Sequence, residues 1–345
     1  MTNRRILIVG TINSFCLETS YYSAANELGF HVSRFDPTRE IEKYVKLGKI
    51  GRLVYDFLNV EVWTRKMNRE LVIKAKDETP DVVLLVGGSK IMFGALITIR
   101  AILPDCKFVW IWPDTPLNLN VNILSYAGIL DVSASYSKAT IKSFQLLGFN
   151  NVRWLPLAGD PFLHGSALNT SNKFKCDISF VGMWRPERER VMKYICSQFG
   201  HLKIEIYGLQ WKLNCKDKEV MKKWRGNGFF TTDMANHFNS CRINVNIIDD
   251  TNYPAANMRF FEIPTAGGLQ LCSHCPELEN EFLDKEHIVY FKDDVELHEK
   301  ISWIIGDPVK AAELRSSSQL KIKNSHNYTA RLMEIISLLN FPEKY

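Results

Sequence analysis

The stretch Asn257-Met258-Arg259-Phe260-Phe261-Glu262-Ile263-Pro264-Thr265-Ala266-Gly267-Gly268 sets a cation and an anion three positions apart. On a helix that spacing puts Arg259 and Glu262 on one face. Asn257 is a good N-cap, the residues to Ala266 make about two turns, and the paired glycines stop the helix before the strand-like run Leu269-Gln270-Leu271-Cys272. Free N–H groups at such a helix start attract anions. There a guanidinium can grip a phosphate, and a carboxylate can accept two hydrogen bonds from a ribose diol. The plain alternative is a helix-surface ion pair, which is what most Arg/Glu pairs at this spacing are.

A second constellation lies upstream. Asp177-Ile178-Ser179-Phe180-Val181-Gly182 reads as a strand capped by glycine, followed by Met183-Trp184-Arg185-Pro186 at the head of a helix. Gly182 would let a diphosphate approach the backbone, and Arg185 could neutralise phosphate charge beside the helix N-terminus. Arg188 and Arg190 read as solvated. In the first half, Arg5 to Gly10, Asp81 to Val86 and Lys107 to Trp112 are short buried strands, with a helix from Glu18 to Leu28 after the first. No G-x-G-x-x-G follows the first strand, which counts against a dehydrogenase.

Open parallel sheets bind ligands at strand ends, so Gly10, Thr11, Gly87, Gly88, Ser89 and Asp114 should border one cleft, which the resemblance described below makes the acceptor side. Asp114, held between Pro113 and the following Thr115-Pro116, is the best carboxylate there for polarising an acceptor hydroxyl. Turn chemistry explains a Pro-Asp equally well.

Length and composition fit these elements. A chain of 345 residues with 46% hydrophobic and 23% charged residues is globular and long enough for two α/β domains. No apolar run approaches the roughly 18 residues of a membrane helix. The start Met1-Thr2-Asn3-Arg4-Arg5 leads straight into a strand, leaving no room for a signal peptide, so a cytoplasmic location is expected. The eight cysteines show no compact spacing, which favours reduced thiols. Cys272-Ser273-His274-Cys275 lacks a second ligand pair nearby and reads as packing at a strand end.

The net charge of +5 suits a handler of anionic nucleotides but is too weak to indicate nucleic acid. Residues 41–76 concentrate lysines and arginines among apolar residues, as one or two amphipathic helices with a basic face. A solvated face is the ordinary reading. Peripheral contact with anionic lipid at the inner membrane face is the other.

The string Asn257 to Gly268 resembles the R-x-F-E-I-P-A-x-G signature of the CgeB-like, spore-maturation-type glycosyltransferases of the GT-B superfamily. Asn257, Arg259, Phe261, Glu262, Ile263, Pro264 and Gly267 fall in register. Further likenesses are Gly182 with Arg185, Ile206-Tyr207-Gly208-Leu209-Gln210-Trp211 to I-x-G-x-x-W, Ile243-Asn244-Val245-Asn246 to I-x-L-N, and His326-Asn327-Tyr328 to H-T-Y. The resemblance is specific from about Cys176 to Arg331 and loose before it.

It implies an α/β fold of GT-B type: two Rossmann-like domains facing each other across a cleft, over residues 1–165 and 174–325. A C-terminal helix, 326–345, would pack back on the N-terminal domain, and 165–172 has linker composition. It implies transfer of a sugar from a UDP- or GDP-type donor to a hydroxyl of a glycan, lipid-linked, protein or small-molecule acceptor. Gly182, Arg185, Gly208, Trp211, Phe229, Asn257, Met258, Arg259 and Glu262 would hold the donor, with Glu262 on the ribose and Gly208 and Trp211 at the nucleobase. Asp114, Arg185 and Arg259 would do the chemistry. No Asp-x-Asp occurs, so no metal and no cofactor is expected at the diphosphate. One departure stands out: the first of two glutamates spaced eight apart in retaining relatives is here Pro254, and retention follows from kinship alone. A sugar-nucleotide epimerase of the same fold and a silent nucleotide-sugar-binding protein are the alternatives.

Overall fold

The computed structural model describes residues 4–43, 48–58, 61–88, 90–165 and 173–341. By its contacts the chain divides into two units, Met1–Leu155 with Thr329–Tyr345, and Pro156–Tyr328. Ser89, much of the 165–172 linker, and residues 44–47 and 59–60 of the basic region lie outside the described residues.

In the first unit six strands form one sheet: β1 (Arg5–Val9), β2 (His31–Phe35), β3 (Val82–Val86), β4 (Lys107–Trp112), β5 (Val132–Ser135) and β6 (Val152–Trp154). Their order is β2-β1-β3-β4-β5-β6 and every pairing is parallel. The central strand β3, Val-Val-Leu-Leu-Val, is buried along its whole length. That is why it reads as an unbroken apolar run and not as an alternation. Trp110 of β4 stacks on Phe149 at 4.8 Å between ring centroids and anchors the core on that side. The strand order reverses between β1 and β3, so the Gly10 and Gly87 loops stand side by side at a topological switch point.

The basic region folds as the helices Pro37–Glu42, Gly48–Leu58 and Glu61–Glu78. Lys43, Arg65 and Lys74 form exposed or half-exposed pairs with Glu40, Glu61 and Glu78 at helical spacing, as a solvated face does. Among the described residues no helix is long and apolar enough to cross a membrane. The C-terminal helix, Tyr328–Ser337, packs back on the first unit, as the fold class requires. Thr329 Oγ1 donates to Glu27 Oε2 at 2.5 Å, and the Arg4 guanidinium lies 3.5 Å over the ring of Phe341.

The second unit repeats the plan with β7 (Cys176–Val181), β8 (Ile204–Tyr207), β9 (Trp224–Gly226), β10 (Cys241–Asn246), β11 (Gln270–Ser273) and β12 (Val289–Phe291). The order is β12-β11-β10-β7-β8-β9, again all parallel, with the switch point between β7 and β10. After β11 the chain makes turns over residues 276–281 before it reaches β12. Gly226 closes the edge strand β9.

Candidate functional site

A buried polar network fixes the start of the helix Met258–Thr265. Asn257 Oδ1 accepts from Phe260 N at 3.2 Å, and Asn257 and Asn246 exchange amide hydrogen bonds at 2.9 and 3.0 Å. Asn246 also donates to Gln270 Oε1 at 2.9 Å, and Gln270 Nε2 donates to Phe260 O at 3.1 Å. All three amides are buried. Leaving one such atom unpaired would cost about 1–3 kcal/mol, so the network holds the helix start in one place. At the other end Gly267, at φ +74°, ends the helix.

Arg259 and Glu262 do share a face, and it points into the protein. The Glu262 side chain is only 6% exposed and that of Arg259 26%. Arg259 Nη1 donates to Glu262 Oε2, and its Nε donates to Val181 O at 3.1 Å. The pair is therefore tied to the end of β7, beside Gly182, and is not an ordinary surface pair. Glu262 Oε1 makes no hydrogen bond among the described residues. His164 Nε2 stands 4.0 Å from it, and the Nδ1 of this buried histidine has no partner either. That separation is too long for a direct bond.

The loops after β7 and β8 interlock. Gly182 N donates to Tyr207 O at 2.9 Å, and Trp211 Nε1 donates to Gly182 O at 2.8 Å. Gly208, at φ +152°, comes so near that a Cβ there would lie 1.8 Å from Gly182 O. Only glycine fits this approach. Trp211 is fully buried and meets Phe180 edge-on at 5.7 Å. Its assignment to a nucleobase pocket is thereby corrected: it has no surface to offer a base and serves to hold the Gly182 loop. Phe229 is half-buried, its ring 4.7 Å from Tyr207 and 4.8 Å from His237.

Arg188 departs furthest from expectation. It is partly buried, its side chain 12% exposed, and not solvated: Nη2 meets Asp249 Oδ2 at 2.7 Å, and Nη1 donates to Met183 O at 2.8 Å. The helix Pro186–Gln198 starts with Pro186 in its first turn, which swings Arg188 onto the switch point between β7 and β10. Burial lowers the pKa of Arg188, Asp249 works against that, and the nearby Arg185 and Arg259 lower it further. Although burial pushes the Asp249 carboxyl up, hydrogen bonds from Thr251 and Asn252 and the charge of Arg188 hold it below the usual range. Arg185 is exposed, and among the described residues its guanidinium makes no hydrogen bond or ion pair. Arg190 pairs with Asp294 at the surface, as expected. Three guanidiniums thus gather around a glycine-ended strand and an uncapped helix start, which is an anion-binding arrangement.

In the first unit Gly10, Thr11, Gly87 and Gly88 do come together, at the ends of β1 and β3. Asp114 follows β4 and is exposed. Its Oδ1 accepts from Thr115 N and its Oδ2 from Asn118 Nδ2, both at 2.7 Å, so the turn role is present whatever else it does. The sequence reading missed Glu18, whose buried carboxylate accepts from Thr11 N at 2.7 Å and crowds Gly10. Burial pushes its pKa up to about 7. It also missed Asp249, which the strand-end rule applied to Asp114 would have found at the end of β10. His164 carried no local signal.

Cys272 and Cys275 are buried packing, as read. Cys272 Sγ accepts from Asn246 Nδ2 at 3.5 Å and Cys275 Sγ lies 3.6 Å from Pro254 O.

Residues 188–337, under half of the chain, match the family described as "Glycosyl transferase-like". The span contains Arg188, Asp249, Arg259 and Glu262. The fold is similar over nearly its full length to HepE from Anabaena in complex with UDP, at 12% identity and TM-score 0.60, covering 97% of this chain and 100% of that one. A glycosyltransferase from Rickettsia africae is similar at 12% identity and TM-score 0.63, with 98% of each chain covered. Sucrose-phosphate synthase from Thermosynechococcus elongatus is similar at 9% identity and TM-score 0.66, covering 97% of this chain and 98% of that one. Comparison with curated protein sequences finds no match. At these identities the structural likeness establishes the fold, GT-B. The domain match is to a glycosyl transferase-like family and lies in the second unit and the C-terminal helix.

Proposed function

We propose that this chain transfers a sugar from a nucleotide diphosphate sugar, of UDP or GDP type, to an acceptor hydroxyl, and that it is a CgeB-like member of its superfamily. The observation that carries the reading is the Arg259–Glu262 pair, its carboxylate buried, moored to Val181 O beside Gly182, with Glu262 Oε1 making no hydrogen bond among the described residues. In this reading Oε1 takes a ribose hydroxyl, with His164 on its other side. The diphosphate lies against Gly182, with Arg185 and Arg259 on its oxygens. HepE, a protein of similar fold, binds UDP, UDP-glucose and glucose in its own structures, which supports the choice of a UDP-type donor.

The reaction forms a bond from the acceptor oxygen to the anomeric carbon and breaks the bond from that carbon to the β-phosphate oxygen. The bonding pair leaves on the phosphate, where Arg185 and Arg259 offset its charge, so no metal is required at the diphosphate. The acceptor proton passes to the departing phosphate if configuration is retained, the outcome kinship favours. Asp114 is the carboxylate assigned to the acceptor hydroxyl.

A thermal-shift screen of nucleotide diphosphates and their sugars tests the donor, because a ligand selective for the folded state raises the melting temperature. A shift with UDP or GDP sugars and none with the free sugars is expected. No shift with any of them would overturn the reading. The second reading, a silent binding protein, draws on Pro254 standing where retaining relatives carry their first glutamate. Release of free nucleotide diphosphate only when an acceptor is supplied separates the transferase from that module and from an epimerase.

A further inference from the structure

We propose that Cys176, His237 and Cys241 form a binding site for a soft divalent cation of the zinc type, built into the second sheet and distinct from the donor site. Cys176 and Cys241 open β7 and β10 and are direct register partners, so their side chains leave the sheet side by side. Both are buried, and their sulfurs lie 2.7 Å apart. His237 sits one turn ahead of Cys241, at the end of the helix Thr231–Ser240, and its Nε2 comes to 3.5 Å from Cys241 Sγ. All three donor atoms lie within 4.8 Å of one another.

The donor set is the kind zinc takes: two sulfurs and an imidazole nitrogen. With metal–sulfur and metal–nitrogen bonds of about 2.3 and 2.0–2.1 Å, a tetrahedral site has a sulfur–nitrogen edge of about 3.5 Å and a sulfur–sulfur edge of about 3.8 Å. The Cys241–His237 edge already matches. The sulfur–sulfur edge would have to widen from 2.7 Å to about 3.8 Å as the cation enters. The Ser179 hydroxyl now hydrogen-bonds His237 Nε2 at 2.6 Å and would give up that nitrogen to the cation, with a water in the fourth position. A simple cystine would leave the imidazole beside Cys241 without a role, whereas a cation uses both sulfurs and the imidazole. Cys176 and Val181 are five residues apart on β7, roughly 17 Å of strand. The cation would therefore be structural: it would cross-link β7, β10 and the Thr231–Ser240 helix, and steady the imidazole on which Phe229 packs.

The test is cobalt and zinc titration of the full chain, purified in reductant and freed of metal. Cobalt(II) should give a sulfur-to-metal charge-transfer band and visible bands that one equivalent of zinc abolishes. Metal analysis should find about one zinc per chain, with two thiols protected from alkylation when zinc is present. Losing a ligand should weaken cobalt binding more than about a hundredfold, beyond the roughly 10–100-fold that a lost outer partner costs. Cys241→Ser and His237→Gln should each do so, while Cys106→Ser, altering a buried cysteine of the other unit, should not. Circular dichroism checks that each variant folds, and His237→Gln, at a half-buried position, carries the test if Cys241→Ser does not. Absence of the charge-transfer band and of retained zinc in the folded parent would overturn the proposal. So would a Cys176–Cys241 disulfide, seen as the loss of two hydrogens by mass, that persists in reductant, or equal weakening in Cys106→Ser.

Discussion

Replacing Glu18 by glutamine should remove a pH dependence from the stability of the first unit. Glu18 is buried at the mouth of β1, its Oε1 accepting from Thr11 N, and burial raises its pKa from 4.5 to about 7 against the opposing pull of that hydrogen bond. Asp36 nearby adds to the rise. Because the folded-state pKa is the higher one, the folded chain keeps this proton at pH values where the unfolded chain has lost it. The resulting stability is complete below about pH 4.5 and is lost as pH rises through about 7. Each pKa unit is worth about 1.4 kcal/mol, so the parent should lose roughly 2–3 kcal/mol between pH 5 and pH 8 from this group alone. Glutamine keeps a carbonyl for Thr11 N and carries no charge. Urea unfolding at pH 5, 6, 7 and 8, following the transition of the first unit, should show that fall in the parent and a flat profile in the variant. A flat parent profile, or the same slope in both proteins, would refute the reasoning.

Three further predictions concern the loops at the strand ends. Arg188→Met leaves Asp249 as a buried charge without its partner and should destabilise the second unit by about 3–5 kcal/mol, with much of the loss recovered in Arg188→Met/Asp249→Asn; denaturant unfolding of both variants checks this. Gly208→Ala puts a Cβ on Gly182 O at a backbone angle alanine avoids, so donor affinity measured by calorimetry should fall by at least about tenfold even where the variant folds. Asp114→Asn should lower turnover in a donor-plus-acceptor assay while donor affinity stays as it was; undiminished turnover would leave Asp114 only its turn role.

The two sheets were legible because their strands are buried on both faces. Val82–Val86 and Lys107–Trp112 are apolar runs ended by Gly or Pro, and they became strands within a residue of where they were read. The helix Pro308–Ser325 was not read, although Asp307-Pro308 is a helix start. Its buried side includes Arg315 and Ser318, which break the apolar stripe. Arg315 donates to Cys241 O and, at 3.0 Å, to Arg242 O, partners more than 70 residues away that no local pattern reports. Arg188 was misread for the same reason. It lies among glutamates and arginines that look solvated, while the charge that holds it, Asp249, is 61 residues on. Trp211 was placed in the site by motif alone, and its burial follows from the fit of the β8 loop under Gly182. Arg259 and Glu262 were legible because their spacing, their cap and their helix are all local. That their face is the buried one depends on Val181, 78 residues earlier.

The central claim is that Glu262 holds the ribose of a nucleotide diphosphate, and calorimetry tests it most directly. Whichever of UDP and GDP the parent binds is compared with its 2′,3′-dideoxy form, in the parent and in Glu262→Ala. The parent should favour the ribose form by roughly 1–3 kcal/mol, about 5- to 150-fold in Kd, and the variant should bind both forms alike, at the weaker level. A folded Glu262→Ala that still separates the two forms as the parent does would contradict the account, as would a parent that binds neither nucleotide.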